Sequence, residues 1–415
     1  MSRHERFWMF AWLLLGLGLI WRTGVRDSGV IKDHLEFGRR VLLGLDLYAP
    51  YLDGPKPLHA PYPPSFGLLT APFSILPERL ARFAWGLLQV ISLFVIARRL
   101  RDVAREFVPD ALPKLNLLFA FVVLLSARYI LRDTHGGGGN LINLALVLTS
   151  IHLARHHRGL AAGLVLGFSL ATKPVAVLMI PLLLIFGYHR AVKTAVVSSV
   201  AFMLVSLLLL RQGTSPFFTW FDGTVKYAGM ADLFATPANG FPEFTWMNQS
   251  LRCAVTRFFG EVPAEFAGQV SGFTQGLGLT PTATTWIARC LGFTLLTATF
   301  ECIWRRRAVP AARPWCIAAI LTLSLLMSPI SWKAHHVALL PALFLIGTLA
   351  FRGSTWVWVF AGLYVFVCGM GEALVGKGFK QIQQSTYFTT FGTIAILGIC
   401  LWHLHRAPQR VKDDV

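Results

Sequence analysis

Apolar residues run along this chain in long stretches, among them FWMFAWLLLGLGLIW at 7–21, LNLLFAFVVLLSA at 115–127 and VVSSVAFMLVSLLLL at 196–210. Coiled as helices, such runs cross or nearly cross the hydrocarbon of a bilayer, which takes about 20 residues. Read in order they predict twelve spans, near 7–22, 80–97, 115–131, 140–154, 159–172, 174–188, 191–210, 285–303, 314–329, 337–351, 354–371 and 387–404. Residues 64–77 (PSFGLLTAPFSILP) are apolar but short and broken by Pro72, which predicts an interfacial or re-entrant piece. The fold class is therefore all-α: a polytopic integral membrane protein of about 12 transmembrane helices. One membrane domain covers 1–415, with interfacial helices and loops on its outer face and two long outer loops at 23–79 and 211–284.

Basic turns orient the predicted bundle. With both termini inside, the inner segments hold Arg98, Arg99, Arg101 and Arg105; Arg155 and Arg158; Arg190 and Lys193; Arg305, Arg306 and Arg307; and Arg406, Arg410 and Lys412. They hold about half of the 38 Lys and Arg but only about a third of the 20 acids, the asymmetry of a cytoplasmic face in a multi-pass protein of the cell membrane. Arg3 and Arg6 precede the first run as in a signal peptide. No small-residue cleavage site follows before Arg22 and Arg26, so the run is expected to remain as the first span.

Composition agrees. The chain is 55% hydrophobic, 14% charged and has a mean hydropathy of +0.58, unlike a soluble protein of 415 residues. A net charge of +18 in such a chain reports orientation and contact with membrane lipids, and nucleic acid is excluded as a partner. Cys253, Cys290, Cys302, Cys316, Cys368 and Cys400 show no C-x-x-C spacing, which argues against a zinc site and structural disulfides.

This topology, drawn from apolar runs and basic turns alone, sends the unusual polar clusters to one side. Asp33-His34, His135-Gly-Gly-Gly-Gly-Asn140, Lys173-Pro174, Asn248-Gln249-Ser250 and Ser328-Pro-Ile-Ser-Trp332-Lys-Ala-His335-His336 all fall at outer ends of spans or in outer loops. Ionisable residues near lipid are costly unless paired or hydrated, so they are functional candidates. Asp33 is the candidate general base, able to take a proton from an attacking hydroxyl; a solvated loop acid is the alternative. Asp46 and Asp53 are rivals in turn-like settings. Lys173 can hold a phosphate at the interface or simply anchor a helix end, and Arg128 and Arg132 are similar candidates. His335 and His336 can donate to phosphate or sugar, but as neighbours they point apart and do not suit a shared metal. The glycines 136–139 suit a close backbone approach followed by a helix capped by Asn140, or a plain flexible turn. Asn248-Gln249-Ser250 also fits a glycosylation sequon.

Taken together these pieces resemble the polytopic glycosyltransferases of the GT-C class, most closely the family eighty-seven type that includes polyprenyl-phosphate-mannose-dependent mannosyltransferases. The carrying residues are Asp33 followed by Phe37, Gly44 and Tyr48; Tyr62-Pro63-Pro64 leading to Pro72 and Leu76-Pro77; Gly139-Asn140; Lys173-Pro174; Asn248-Gln249-Ser250 with Arg257; and Ser328-Pro-Ile-Ser-Trp332 with His335-His336. Where the family commonly has Gly-Gln-x-Asn, this chain has Gly138-Gly139-Asn140-Leu141-Ile142-Asn143, so Asn140 and Asn143 both remain candidates.

The resemblance implies an inverting transfer of a hexose, mannose in the named relatives, from a polyprenyl-phosphate-linked sugar donor to a lipid or glycan acceptor. Asp33 takes the place of the catalytic Asp, and His34, Arg128, Asn140, Asn143, Lys173, Asn248, Gln249, Trp332, His335 and His336 contact substrate. Lys173, Arg128 and His335 would steady the departing phosphate. No cofactor and no metal is called for. The competing expectation is a transporter or flippase for lipid-linked sugars, which would place its ions near the midplane and show internal repeats.

Overall fold

The computed structural model describes residues 2–26, 29–49, 62–210, 212–226, 229–235 and 242–406. Among the described residues the ordered structure is helical, apart from one isolated bridge between Gly260 and Leu279. In chain order the helices are α1 (Arg3–Gly24), α2 (Val30–Leu43), α3 (Phe66–Ser74), α4 (Glu78–Phe107), α5 (Leu115–Gly136), α6 (Asn140–Arg155), α7 (Gly159–Thr172), α8 (Met179–Ile185) and α9 (His189–Leu210). They continue as α10 (Ser215–Trp220), α11 (Leu251–Phe259), α12 (Ala264–Ala267), α13 (Pro281–Arg306), α14 (Arg313–Met327), α15 (Leu340–Phe351), α16 (Thr355–Tyr364), α17 (Glu372–Ser385) and α18 (Phe388–Arg406).

Among the described residues, eight segments are long and apolar enough to cross a membrane: α1, α4, α9, α13, α18 and the stretches Leu112–Gly136, Pro310–Met327 and Lys333–Phe351. The twelve predicted spans are thereby corrected. The runs at 159–172 and 174–188 form one bent pair, α7 and Pro174–Ile185, turned by 118° at Lys173. Pro174 cannot continue a helix and disfavours helical geometry in the residue before it, so the chain breaks there. The run at 354–371 does not end in a loop but turns by 81° into α17, whose Glu372, Lys377 and Lys380 cannot lie in hydrocarbon. Counting each bent pair as one crossing gives up to ten, and α6, with 16 residues, is a shorter apolar helix.

At the centre stand α14 and α15, buried along nearly their whole length, with α5 against α15 and both α5 and α6 against the Lys333–Leu339 turn that leads into it. Tyr129 of α5 and Tyr364 of α16 join hydroxyls at 2.9 Å inside this core. Such interhelical bonds are worth about 0.6 kcal/mol in a membrane bundle, so packing carries more of the stability than this pair does. Around the centre, α7 packs along α9, α1 along α4, and α14 along α18.

The loop at 23–79 contains α2, which the apolar pattern did not outline, and α3, which falls within the interfacial piece expected at 64–77. On α2, Ile31, His34, Phe37, Gly38 and Val41 are buried at helical spacing, facing α3 and α4. Asp33 thus sits on the first turn of an amphipathic helix rather than in an open loop. The loop at 211–284 is organised by α11 and α12 around a small core of its own, including Phe244, Trp246, Cys253 and Phe266.

Candidate active site

Two turns and the first turn of α2 meet at one end of the bundle. The α5–α6 turn needs its glycines: Gly137 and Gly139 have φ of +72° and +69°, which disfavours any residue with a Cβ. A Cβ on Gly137 would also stand 2.6 Å from that of Ile31 on α2, and one on Gly139 would stand 3.2 Å from Trp85. The sequence suggested that this glycine run lets the backbone pass close to a ligand; the closest atoms recorded at these two positions belong instead to Ile31 and Trp85. Trp85 Nε1 donates to the Gly137 carbonyl at 3.1 Å, pinning the turn to α4.

Asp133, which the sequence reading missed, holds the same turn from below. It is fully buried, and its carboxylate accepts from the Asn140 and Leu141 amides at 3.2 and 2.9 Å and from Asn140 Nδ2 at 2.6 Å. The carboxylate therefore caps α6; Gly139 occupies the cap position expected for Asn140. The signal was an acid three residues from the end of an apolar helix, where an ionisable group needs partners. Asn143 is a turn further along, its Oδ1 accepting from Ser169 at 2.6 Å.

Lys173 reaches this turn from the break after α7. It is 5% exposed, donates from Nζ to the Gly138 carbonyl at 3.1 Å, lies within electrostatic reach of Asp133 and stands 5.3 Å from the centre of the Tyr62 ring. Asp33 is half-buried and also within electrostatic reach of Tyr62. Burial first, and these carboxylates second, raise the Tyr62 hydroxyl above its ordinary value, keeping it neutral. Asp33 and Lys173, distant in sequence, thus both come close to one tyrosine.

His34 packs edge-on to Tyr62 and Phe66 and against Trp85, with ring centroids 4.7 to 5.4 Å apart. The Gly137 carbonyl lies near the ring, but neither ring nitrogen makes a hydrogen bond of normal geometry. Burial, reinforced by the Lys173 charge, holds the imidazole well below its ordinary value, so it is neutral at physiological pH. The neighbouring acids have partners of their own. Glu36 pairs with Arg40 at 2.8 Å and Arg39 at 3.1 Å, and Asp46 accepts from the Tyr48 amide at 3.0 Å. Asp53 lies outside the described residues.

The segment 328–336 closes the site from α14. His335 Nδ1 accepts from the Trp332 amide at 3.1 Å, which leaves Nε2 as the protonated, donating nitrogen. The ring lines a crevice with Asn140, Asn143 and Ser324 and lies within electrostatic reach of Lys173. His336 turns elsewhere, its Nδ1 3.1 Å from the Trp332 carbonyl and its ring 5.3 Å from Tyr129. The two histidines point apart, as adjacent residues on a helical turn must.

Three expected substrate contacts have other partners. Asn248 is fully buried; it donates to the Glu243 and Pro329 carbonyls, both at 2.8 Å, and accepts from the Ser250 and Ser331 amides. It braces the loop before α11 against the Ser328–Trp332 segment, and its buried amide is unsuited to glycosylation. Gln249 donates to the Trp246 and Gln384 carbonyls at 3.1 and 3.3 Å. Arg128 donates to the Cys368 carbonyl at 2.9 Å and to Gln383 Oε1 at 2.8 Å, facing α17 rather than Lys173. Among the described residues no three His, Cys, Asp or Glu side chains gather where a metal ion would fit.

The site offers a carboxylate, a buried ammonium and imidazoles around an aromatic wall, a set suited to taking up a proton and steadying a departing anion. No curated protein and no solved structure matches the chain. A family model does: glycosyltransferase family 87 matches residues 60–329, about two thirds of the chain, taking in Lys173 and Asn248 but beginning after Asp33 and ending before Trp332. With that match added to the multi-pass helical bundle, the chain belongs to glycosyltransferase family 87.

Proposed function

We propose that this membrane glycosyltransferase transfers a hexose, mannose foremost, from a polyprenyl-phosphate-linked donor to a hydroxyl of a lipid or glycan acceptor, inverting the anomeric centre. The observation that carries the reading is that Asp33 and Lys173, distant in sequence, both come close to Tyr62. Asp33 accepts the proton of the acceptor hydroxyl as its oxygen attacks the anomeric carbon. The bond from that carbon to the phosphate oxygen breaks, and the polyprenyl phosphate leaves as a dianion met by the Lys173 ammonium and the Nε2–H of His335. One displacement inverts the centre, and the displaced phosphate needs no protonation at neutral pH. Family membership favours this chemistry over transport.

The site faces the outer side of the cell membrane in this reading, and both termini lie in the cytoplasm, because Arg98–Arg105 and Arg305–Arg307 mark the opposite end of the bundle. The whole chain works as one membrane domain. The experiment is reconstitution of the full chain in lipid with a panel of polyprenyl-phosphate sugars and a cell-envelope lipid extract, with new glycolipids read by mass spectrometry. A product with one donor supports the proposal; no product with any of them removes it.

A further inference from the structure

The segment Trp332–His336 divides the cations of the site into two groups. His335 lies within reach of Lys173, whereas Lys333, two residues before it, lies within electrostatic reach of Arg128, Arg132 and Lys380. Arg128 and Arg132 are one helical turn apart on α5. Arg128 is tied to Gln383, and Lys380 stands three residues before Gln383 on α17, so this second group is built where α5, Lys333 and α17 meet.

The charges in this group are poorly compensated. Lys380 pairs with Glu372. Both acceptors of Arg128 are neutral and are taken by Nη1 alone. Arg132 and Lys333 make no ion pair or hydrogen bond among the described residues. The carboxylate next to Arg132 in sequence is Asp133, and it is engaged by the α6 amides. Arg132 is exposed and Lys333 is half-buried, so a ligand can reach them. Like charges gathered without a counter-ion repel one another, and an anion that draws them together removes that cost.

We infer that Arg128, Arg132 and Lys333, with Lys380 at the edge, form a second anion site, separate from Lys173, that takes the phosphate of a membrane-anchored lipid. The site sits where α16 bends into α17 and the polar chain leaves the apolar bundle, the level at which lipid phosphates lie. It rests on the proposed glycosyl transfer only in expecting such lipids as ligands. Its test reads binding without turnover, so the two readings fail separately.

The full chain is placed in phosphatidylcholine nanodiscs and titrated with dodecyl phosphate, with dodecyl maltoside as the neutral control. Arg132→Gln combined with Lys333→Gln is expected to weaken one class of dodecyl phosphate binding by about tenfold or more, the scale of one or two charge-assisted contacts. Lys173→Ala should leave that class in place. Arg132→Gln alone changes an exposed side chain and keeps the test open if the double variant does not fold; it should give a smaller loss in the same class. Displacement of the probe by polyprenyl phosphate would assign the site to the donor carrier, and displacement by phosphatidic acid to a phospholipid headgroup. Unchanged probe binding in folded variants, or displacement by neither lipid, overturns the inference.

Discussion

Lys173 donates from Nζ to the carbonyl oxygen of Gly138 at 3.1 Å, across 35 positions of sequence. The bond ties the break after α7 to a turn that Asp133 holds from the other side, so an ammonium, a carboxylate and a glycine turn form one unit. The ammonium keeps donors to offer a ligand, because –NH₃⁺ has three and one is used here.

Lys173→Ala is therefore expected to weaken binding of a polyprenyl-phosphate donor more than binding of an acceptor, by about 1.5–3 kcal/mol. Asp133→Ala should instead lower stability, since it leaves two buried amides and the Asn140 side chain without their acceptor. A loss of about 1–3 kcal/mol is expected, read as a drop in the thermal midpoint in detergent. Equal donor affinity in wild type and Lys173→Ala would reduce Lys173 to a structural tie.

Much of this end of the molecule was legible in the sequence, and the remainder was hidden for identifiable reasons. The glycine run, Lys173-Pro174 and His335-His336 announced themselves because each is costly or special where the apolar pattern placed it. Asp133 did not, because its role depends on amides seven and eight residues later that only a folded turn brings back. The bend at Lys173 was misread as two spans because apolar runs of 14 and 15 residues carry no record of the angle between them. Asn248 and Arg128 read as ligands for substrate, yet Asn248 is bonded to main-chain groups and Arg128 to a main-chain carbonyl and Gln383, pairings that no motif reveals.

His34 gives a pH dependence with a definite sign. The folded protein keeps the ring neutral below its ordinary value of 6.5, while the unfolded chain takes up a proton as pH falls through that value. Stability owed to this residue is thus fully present above pH 6.5 and lost on acidification, by about 1.4 kcal/mol per pH unit until the folded ring titrates. His34→Phe suits the aromatic surroundings and should flatten that part of the acid limb in a series of thermal scans. An acid limb of unchanged slope would mean that His34 titrates alike in both states.

The sidedness of the site is open to labelling. Single cysteines replacing Leu277, which is 72% exposed beside α13, and Ala308, which is exposed at the opposite end of that helix, are introduced in a background without reactive native thiols. An impermeant thiol reagent added to whole cells should label position 277 and spare 308. The reverse pattern would put the site on the cytoplasmic face and demand a donor held there.

Asp33→Asn tests the base. The substitution keeps the size of the side chain and much of its hydrogen bonding, but an amide cannot take the acceptor's proton at neutral pH. Binding and turnover should therefore separate: donor affinity stays near that of the wild type, while turnover falls about 100-fold or more. The position supports the same split, because Asp33 stands half-buried on the first turn of α2, within electrostatic reach of Tyr62. Glu36 is held by Arg39 and Arg40, and Asp46 by the Tyr48 amide, so Asp46→Asn should change turnover much less. Glu36→Gln would loosen the buried Arg40, and it is expected to act on the thermal midpoint before it acts on the chemistry. Near-normal glycosyl transfer by a well-folded Asp33→Asn protein would take the base role away from Asp33, and Asp46 and Glu36 would then have to be weighed against His34, whose unpartnered ring nitrogens lie one residue away.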